Sequence, residues 1–360
     1  MIFKYFAYGT VFLLGIVFLI SLWVILKNLY SINRETSRQI KRTQLRLGIL
    51  SYLSDETVMN ELLITINQSP ELISGVLGQL ASNISLEDKP KLDALLNHPA
   101  MLAIISREVK KLNSRNWHVR QRAATYLPYL CAAEKISEAL IIALEDKHDE
   151  VRVAAALSLA QLKESHATAK IINSLTYSNA IPWARTLEVV LQMGPAAKEP
   201  LIEILEDSNA SERAKTIAVA YLGIQRSQGT SALIQRFSDS KDINLRIQSA
   251  KALGILHESS SLETLINGMQ DNAWEVRAMS AQALGNFSQH QALEILEKNL
   301  GDPAYWVRYN CANALMSKRE AGMLVLRRNL DNQDKFIRDI CNQSVQTMQM
   351  NASLSAPTLT

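Results

Sequence analysis

An apolar residue, then arginine, then small residues: this pattern recurs at Arg120, Arg152, Arg185, Arg246, Arg277, Arg308 and Arg338, and Lys215 fills the one long gap. The successive anchors stand 32, 33, 30, 31, 31, 31 and 30 residues apart. Elements of a single globular core differ in length, so a period this even requires one small unit copied along the chain, each copy resting on the next. The predicted fold class is all-α, with an array of eight helix pairs over 113–347.

The columns around the anchor say how a unit is built. The preceding residue is apolar every time, from Val119 and Val151 to Val307 and Ile337. Four after the anchor stand small or β-branched residues such as Ala156, Ala250, Ala281 and Ala312, and seven after it a leucine in most copies. Offsets of −1, +4 and +7 share one face of an α-helix, and small side chains at +4 let a neighbouring helix approach closely. Gln192 and Asn342 break these columns and mark a degenerate third copy and a terminal one. Six residues before the anchor the column reads Ser114, Asp146, Asn179, Asn209, Ser240, Asp271, Asp302 and Asn332, all residue types that accept the unpaired N–H groups of a helix start. A second amphipathic stretch precedes each of these, as in LETLINGMQD at 262–271.

Asp271 to Gly285, DNAWEVRAMSAQALG, resembles a HEAT repeat, specifically the short bacterial variety also called phycobilisome-lyase-type, an armadillo-like helical unit. The segments 240–254 and 302–315 resemble it nearly as well. The resemblance implies a right-handed α-solenoid and a role as a protein-binding scaffold or adaptor, and fold alone does not fix that role. It also brings enzyme relatives into view, and an accessory or catalytic subunit resembling the bilin lyases is the alternative reading. HEAT-like deoxyhypusine hydroxylases bind di-iron through several His-Glu pairs, whereas this chain has one, His257-Glu258. Neither a metal nor another cofactor is expected, no catalytic residue stands out, and the chain reads as a non-enzyme.

Residues 5–26, YFAYGTVFLLGIVFLISLWVIL, carry no charge and are bounded by Lys4 and Lys27. As a helix rising about 1.5 Å per residue they match a bilayer core, with aromatic residues near both ends. The reading is a transmembrane anchor at 1–27, preceding a basic juxtamembrane helix at 28–47. Arg34, Arg38, Lys41 and Arg42 would rest on anionic headgroups, and their charge places the following body in the cytoplasm, on the inner (cytoplasmic) membrane as a single-pass protein. Residues 48–112 read as divergent helical repeats or a cap, and 348–360 as a disordered tail.

Charge narrows the partners. Residues 27–46 carry six basic side chains against one acidic, a net of +5, while 48–360 carry 31 basic and 34 acidic, a net of −3. A mildly acidic body is a poor polyanion binder, so nucleic acid is not expected, and neither is a small-molecule substrate. Cys131, Cys311 and Cys341 form no metal or disulfide spacing and suit a reducing compartment.

A protein partner, itself membrane-associated, is the expected ligand. The +2 and +5 columns are predicted to be the most exposed, and there Leu157, Leu187, Val190 and Ile217 would form an apolar groove for a partner segment. Trp117, Trp183, Trp274, Tyr305 and Trp306 cluster just before the anchors and are the second candidate contact. Asp146, Arg152, Asp271, Arg277, Asp302 and Arg308 are expected to tie neighbouring turns as a structural ladder.

Overall fold

The structure, a computed structural model, describes residues 2–80, 84, 85, 87–130, 136–177 and 180–355, with the side chains of 2–14, 17 and 351–355 outside that description. Every regular element among the described residues is helical. The chain divides at Leu140 into two compact units, Met1–Leu140 and Ile141–Thr360.

The first unit holds α1 (Ile2–Ser54), α2 (Met59–Gln68), α3 (Ile73–Leu80), α4 (Lys89–Leu96), α5 (Pro99–Lys111) and α6 (Trp117–Tyr126). No proline interrupts residues 2–54, so nothing breaks α1 before Asp55, whose carboxylate accepts the Thr57 N–H at 3.0 Å and starts the next turn. The juxtamembrane segment predicted at 28–47 and the first seven residues of the helical cap predicted at 48–112 therefore share one uninterrupted helix. Leu45, Ile49, Tyr52 and Leu53 are buried against α2 and α3, and the Tyr52 hydroxyl donates to the Lys91 carbonyl at 3.2 Å. Arg34, Arg38 and Lys41 are exposed along the free part of the helix, while Arg42 is half-buried and lies 3.7 Å from Glu35. Part of the predicted span, 5–14 and 17, lies outside the described side chains; among the described residues no helix is long and apolar enough to cross a membrane.

The division falls inside α7 (Ser137–Ala143). The second unit then alternates shorter and longer helices: α8 (Asp149–Gln161), α9 (Thr168–Thr176), α10 (Trp183–Gln192), α11 (Lys198–Glu206), α12 (Glu212–Ile224), α13 (Ser231–Gln235) and α14 (Ile243–Leu256). It continues through α15 (Leu262–Gly268), α16 (Trp274–Leu284), α17 (His290–Lys298), α18 (Tyr305–Ser317), α19 (Arg319–Arg328) and α20 (Lys335–Ser355). Each even-numbered helix packs on the next even-numbered one in chain order, as a solenoid requires. The −1, +4 and +7 columns supply that core: Val276, Ala281 and Leu284 are buried, and so are Val307, Ala312 and Leu315.

Successive even-numbered helices come close where glycine meets alanine. A Cβ on Gly223 or Gly254 would lie 2.8 Å from the Cα of Ala252 or Ala283 in the following repeat. Lacking that atom, α12, α14 and α16 approach backbone to backbone.

Two expectations need correction. The third copy is anchored at Trp183, not Arg185: burial of Thr186, Leu187, Val189 and Val190 falls at +3, +4, +6 and +7 only on that register, matching α14 and α16. The apparent exception at Gln192 vanishes, and Arg185 turns outward to Glu150 at 3.4 Å. At the other end, α20 continues to Ser355 through a segment read as disordered; its glutamine, methionine and alanine are good helix formers, and proline is held off until Pro357. Residues 356–360 lie outside the described residues.

Candidate interaction edge

The turns entering the even-numbered helices carry both the ladder and the aromatics. Arg246 binds Asp271 with Nε and Nη2 at 2.7 and 2.9 Å, while its Nη1 donates to the Ser240 carbonyl at 2.7 Å. Arg277 repeats the arrangement with Asp302 at 2.8 and 3.1 Å and the Asp271 carbonyl at 2.7 Å. Each aspartate in turn accepts an N–H at the start of its own helix, from Ala273 and Ala304, both at 2.8 Å. Burial works against the Asp271 carboxylate, but hydrogen bonds from Arg246 and Ala273 outweigh it and hold its pKa below the usual carboxylate range. Bonds to their aspartates push the Arg246 and Arg277 guanidinium pKa values up.

Among the described residues the ladder is complete where the sequence supplies aspartate. Arg308 donates to the Asp302 carbonyl at 2.7 Å, but the next capping position is Asn332, and the guanidinium instead lies over the Phe336 ring at 4.6 Å and the Tyr305 ring at 5.8 Å. Arg152 donates to the Asp146 carbonyl at 2.9 Å and pairs with Asp149 on its own helix. Among the described residues its buried Nε has no partner, and Arg152 lines a cavity of about 510 Å³ together with Leu144, Lys170 and Tyr177.

The predicted groove is not one. Leu187 is 8% exposed, and Val190 and Ile217 are fully buried, so of the four only Leu157 reaches solvent. The register shift at Trp183 explains it, because Leu187 and Val190 occupy core columns +4 and +7. Ile217 sits in α12, which is buried on every side from Ala214 to Gly223.

The aromatics behave differently. Trp183, Trp274, Tyr305 and Trp306 are each between 39% and 54% exposed, whereas Trp117 is half-buried and stacks on His118 at 3.7 Å. Two further residues join the row: Ile243, at the place equivalent to Trp274 in the preceding repeat, and Phe336, at the place equivalent to Trp306 in the repeat anchored at Arg338, both exposed. Tyr305, Trp306 and Tyr309 form a cluster with ring centroids 5.4 to 6.0 Å apart. Ile243, Trp274, Tyr305 and Phe336 thus stand at the first turns of α14, α16, α18 and α20, about 10 Å from one repeat to the next given ordinary helix spacing. The row was readable in the aligned columns, but a search restricted to Trp and Tyr passes over Ile243 and Phe336.

The His-Glu pair has structural partners. His257, at φ 55°, ends α14 in the left-handed conformation and sets its ring edge-on to Phe287 at 5.0 Å; Glu258 accepts the Gly229 N–H at 3.0 Å. Burial pushes the Cys341 thiol up to about 11 and the Cys311 thiol higher still, which makes both poor nucleophiles. Cys131 lies outside the described residues.

A family profile described as HEAT repeats matches residues 108–189 and 230–316. These two segments are HEAT repeats. No curated protein sequence matches the chain. Among solved structures, a chain of the Kap95:Nup1 complex is similar over 91% of this chain and 50% of its own, at 13% identity and a TM-score of 0.53. The E. coli protein YibA is similar over 68% of this chain and 92% of its own, at 18% identity and a TM-score of 0.42. Human deoxyhypusine hydroxylase, in complex with glycerol, covers 69% and 97%, at 16% identity and a TM-score of 0.29. At such identities the likeness is one of fold, and the fold is a HEAT-type helical solenoid.

Proposed function

We propose that this chain is a membrane-tethered HEAT-repeat scaffold or adaptor that holds a protein partner along the aromatic edge of its second unit and is not itself an enzyme. The observation that carries the reading is the row Ile243, Trp274, Tyr305, Trp306 and Phe336: large, half-exposed side chains two or three residues before the anchor arginine in four consecutive repeats. Aromatic side chains held on rigid supports are the usual anchors of protein interfaces, and the buried Arg–Asp ladder fixes the turns that carry these. Kap95, similar in fold, is a protein seen in complex with another, Nup1.

The tether rests on the uncharged run 5–26 and the basic residues after it, which orient the body toward the cytoplasm at the inner membrane. Confinement to that surface raises the effective concentration of the body toward other membrane-associated proteins. A photo-crosslinking amino acid at Trp306, in native membranes, should capture one partner that the same probe at Tyr177, which is 91% exposed but off the row, does not. Identical capture at both positions would remove the edge from the account.

A further inference from the structure

The long helix α1 carries a pattern that neither the tether nor the aromatic edge uses. Leu29, Ile40, Leu47 and Leu50, with Asn33, Thr36 and Thr43 between them, are separated by four, three, four, three, four and three residues. Toward the amino terminus the same alternation continues through Leu26, Leu22 and Leu19. This is the 3.5-residue period of a coiled-coil seam, with Asn33, Ile40 and Leu47 at a and Leu29, Thr36, Thr43 and Leu50 at d. All seven seam residues are exposed, and the four large ones are 41 to 59% exposed. The other large exposed apolar residues of the stretch, Tyr30 and Ile32, fall at the flanking e and g positions. Lys27, Arg34, Glu35, Arg38, Lys41 and Arg42 all fall at b, c or f, and only Arg46 flanks the seam.

The body of the first unit does not cover this stripe: within residues 29–50 its buried contacts are Leu45 and Ile49, at f and c, with Tyr52 at f and Leu53 at g following beyond the seam. The uncharged run ends at residue 26, so lipid does not cover it beyond that point either. We infer that α1 pairs with α1 of a second copy of this chain, in parallel, as a two-stranded coiled coil over residues 29–50.

Self-pairing fits the residues at and beside the seam. A lone asparagine at an a position meets itself across a parallel dimer and fixes register. Thr36 and Thr43 donate their hydroxyls to the carbonyls of Ile32 at 2.9 Å and Gln39 at 3.0 Å within the same helix, which leaves their methyl groups for the seam. Across a parallel pair each g residue faces the next e, giving Ile32 with Ser37, Gln39 with Gln44 and Arg46 with Ser51. No like charges meet, so a strongly basic helix can lie beside its own copy. The parallel sense rests on the tether proposed above, which sets both amino termini in one membrane; the seam does not depend on it.

Cysteines on the two faces of the helix test the pairing in the full chain, with the wild-type protein and its own three thiols as background. Parallel d positions bring Cα atoms within disulfide reach. Mild oxidation in membranes and in detergent should give dimer at Thr36→Cys and Thr43→Cys at least tenfold above Arg34→Cys and Arg38→Cys. Adding Ile40→Lys and Leu47→Lys to Thr36→Cys should abolish the link while the thermal melt of the HEAT body stays in place. Equal linking on both faces, or none at Thr36 and Thr43, overturns the dimer. Loss of membrane sedimentation with the seam links retained would remove the tether alone.

Discussion

Arg277 grips Asp302, in the next repeat, through Nε and Nη2 at 2.8 and 3.1 Å, while its Nη1 donates to the Asp271 carbonyl six residues back at 2.7 Å. One guanidinium therefore fixes the turn of its own repeat and docks the turn of its successor. The Asp302 side chain is 6% exposed, so removing its partner leaves a buried charge. Arg277→Ala should cost about 3 kcal/mol, the lower end for breaking a buried pair. Asp302→Asn, which keeps a capping oxygen, should cost about half as much, since it loses the charge but not every hydrogen bond. Urea unfolding followed by circular dichroism reads both.

The ladder also makes stability fall in acid. Asp271 has a folded pKa below its unfolded one despite burial, and Glu297 likewise, through hydrogen bonds first from Arg328 and then from Asn329. A carboxylate lowered in this way contributes stability that is fully present above the unfolded pKa of about 4 and is lost as pH drops through the lower folded value. The melting temperature should hold from pH 7 to 5 and fall below 4, and Asp271→Asn should show a shallower fall from a lower plateau.

Gly223→Ala and Gly254→Ala run against ordinary helix propensity. In an exposed helix interior the change gains up to about 1 kcal/mol. Here the added Cβ meets backbone 2.8 Å away, so the helices must separate, and overpacking of this kind costs about 1–3 kcal/mol. Differential scanning calorimetry should show a lowered melting temperature for each.

Leu187→Asp with Val190→Asp separates core from surface. Both side chains are buried, and two unpaired carboxylates there should abolish cooperative unfolding in a thermal melt. Leu157→Asp, at the exposed position of the predicted groove, should change the melting temperature by no more than about the small shift of a surface substitution.

The repeat period, the helix pairs and the Asp–Arg ladder were legible because each rests on a residue type that only one physical role explains: aspartate as a cap, arginine as a clamp, alanine at a close contact. The third copy was misaligned because its anchor is Trp183 and the nearby Arg185 offers a false match two residues away. The exits from α8, α12, α14 and α18 were hidden for a related reason. They pass through left-handed Lys163, Arg226, His257 and Arg319, at φ between 49° and 58°, where sequence reasoning looks for glycine. Lys318 was equally silent: it is half-buried and donates to the Leu284 carbonyl at 2.9 Å, capping α16 from the next repeat, a role no spacing reveals. The aromatic row lay between these cases, its positions visible and its exposure not.

The central claim is that this row binds while the ladder beneath it only supports. It is tested most directly by Trp274→Ala, Tyr305→Ala and Trp306→Ala combined, measuring quantitative crosslinking to the captured partner in native membranes alongside the melting temperature of the purified chain. The account predicts at least a tenfold loss of the partner with the melt shifted by no more than a few degrees, as half-exposed side chains imply. Undiminished partner recovery from a chain that melts normally would contradict it.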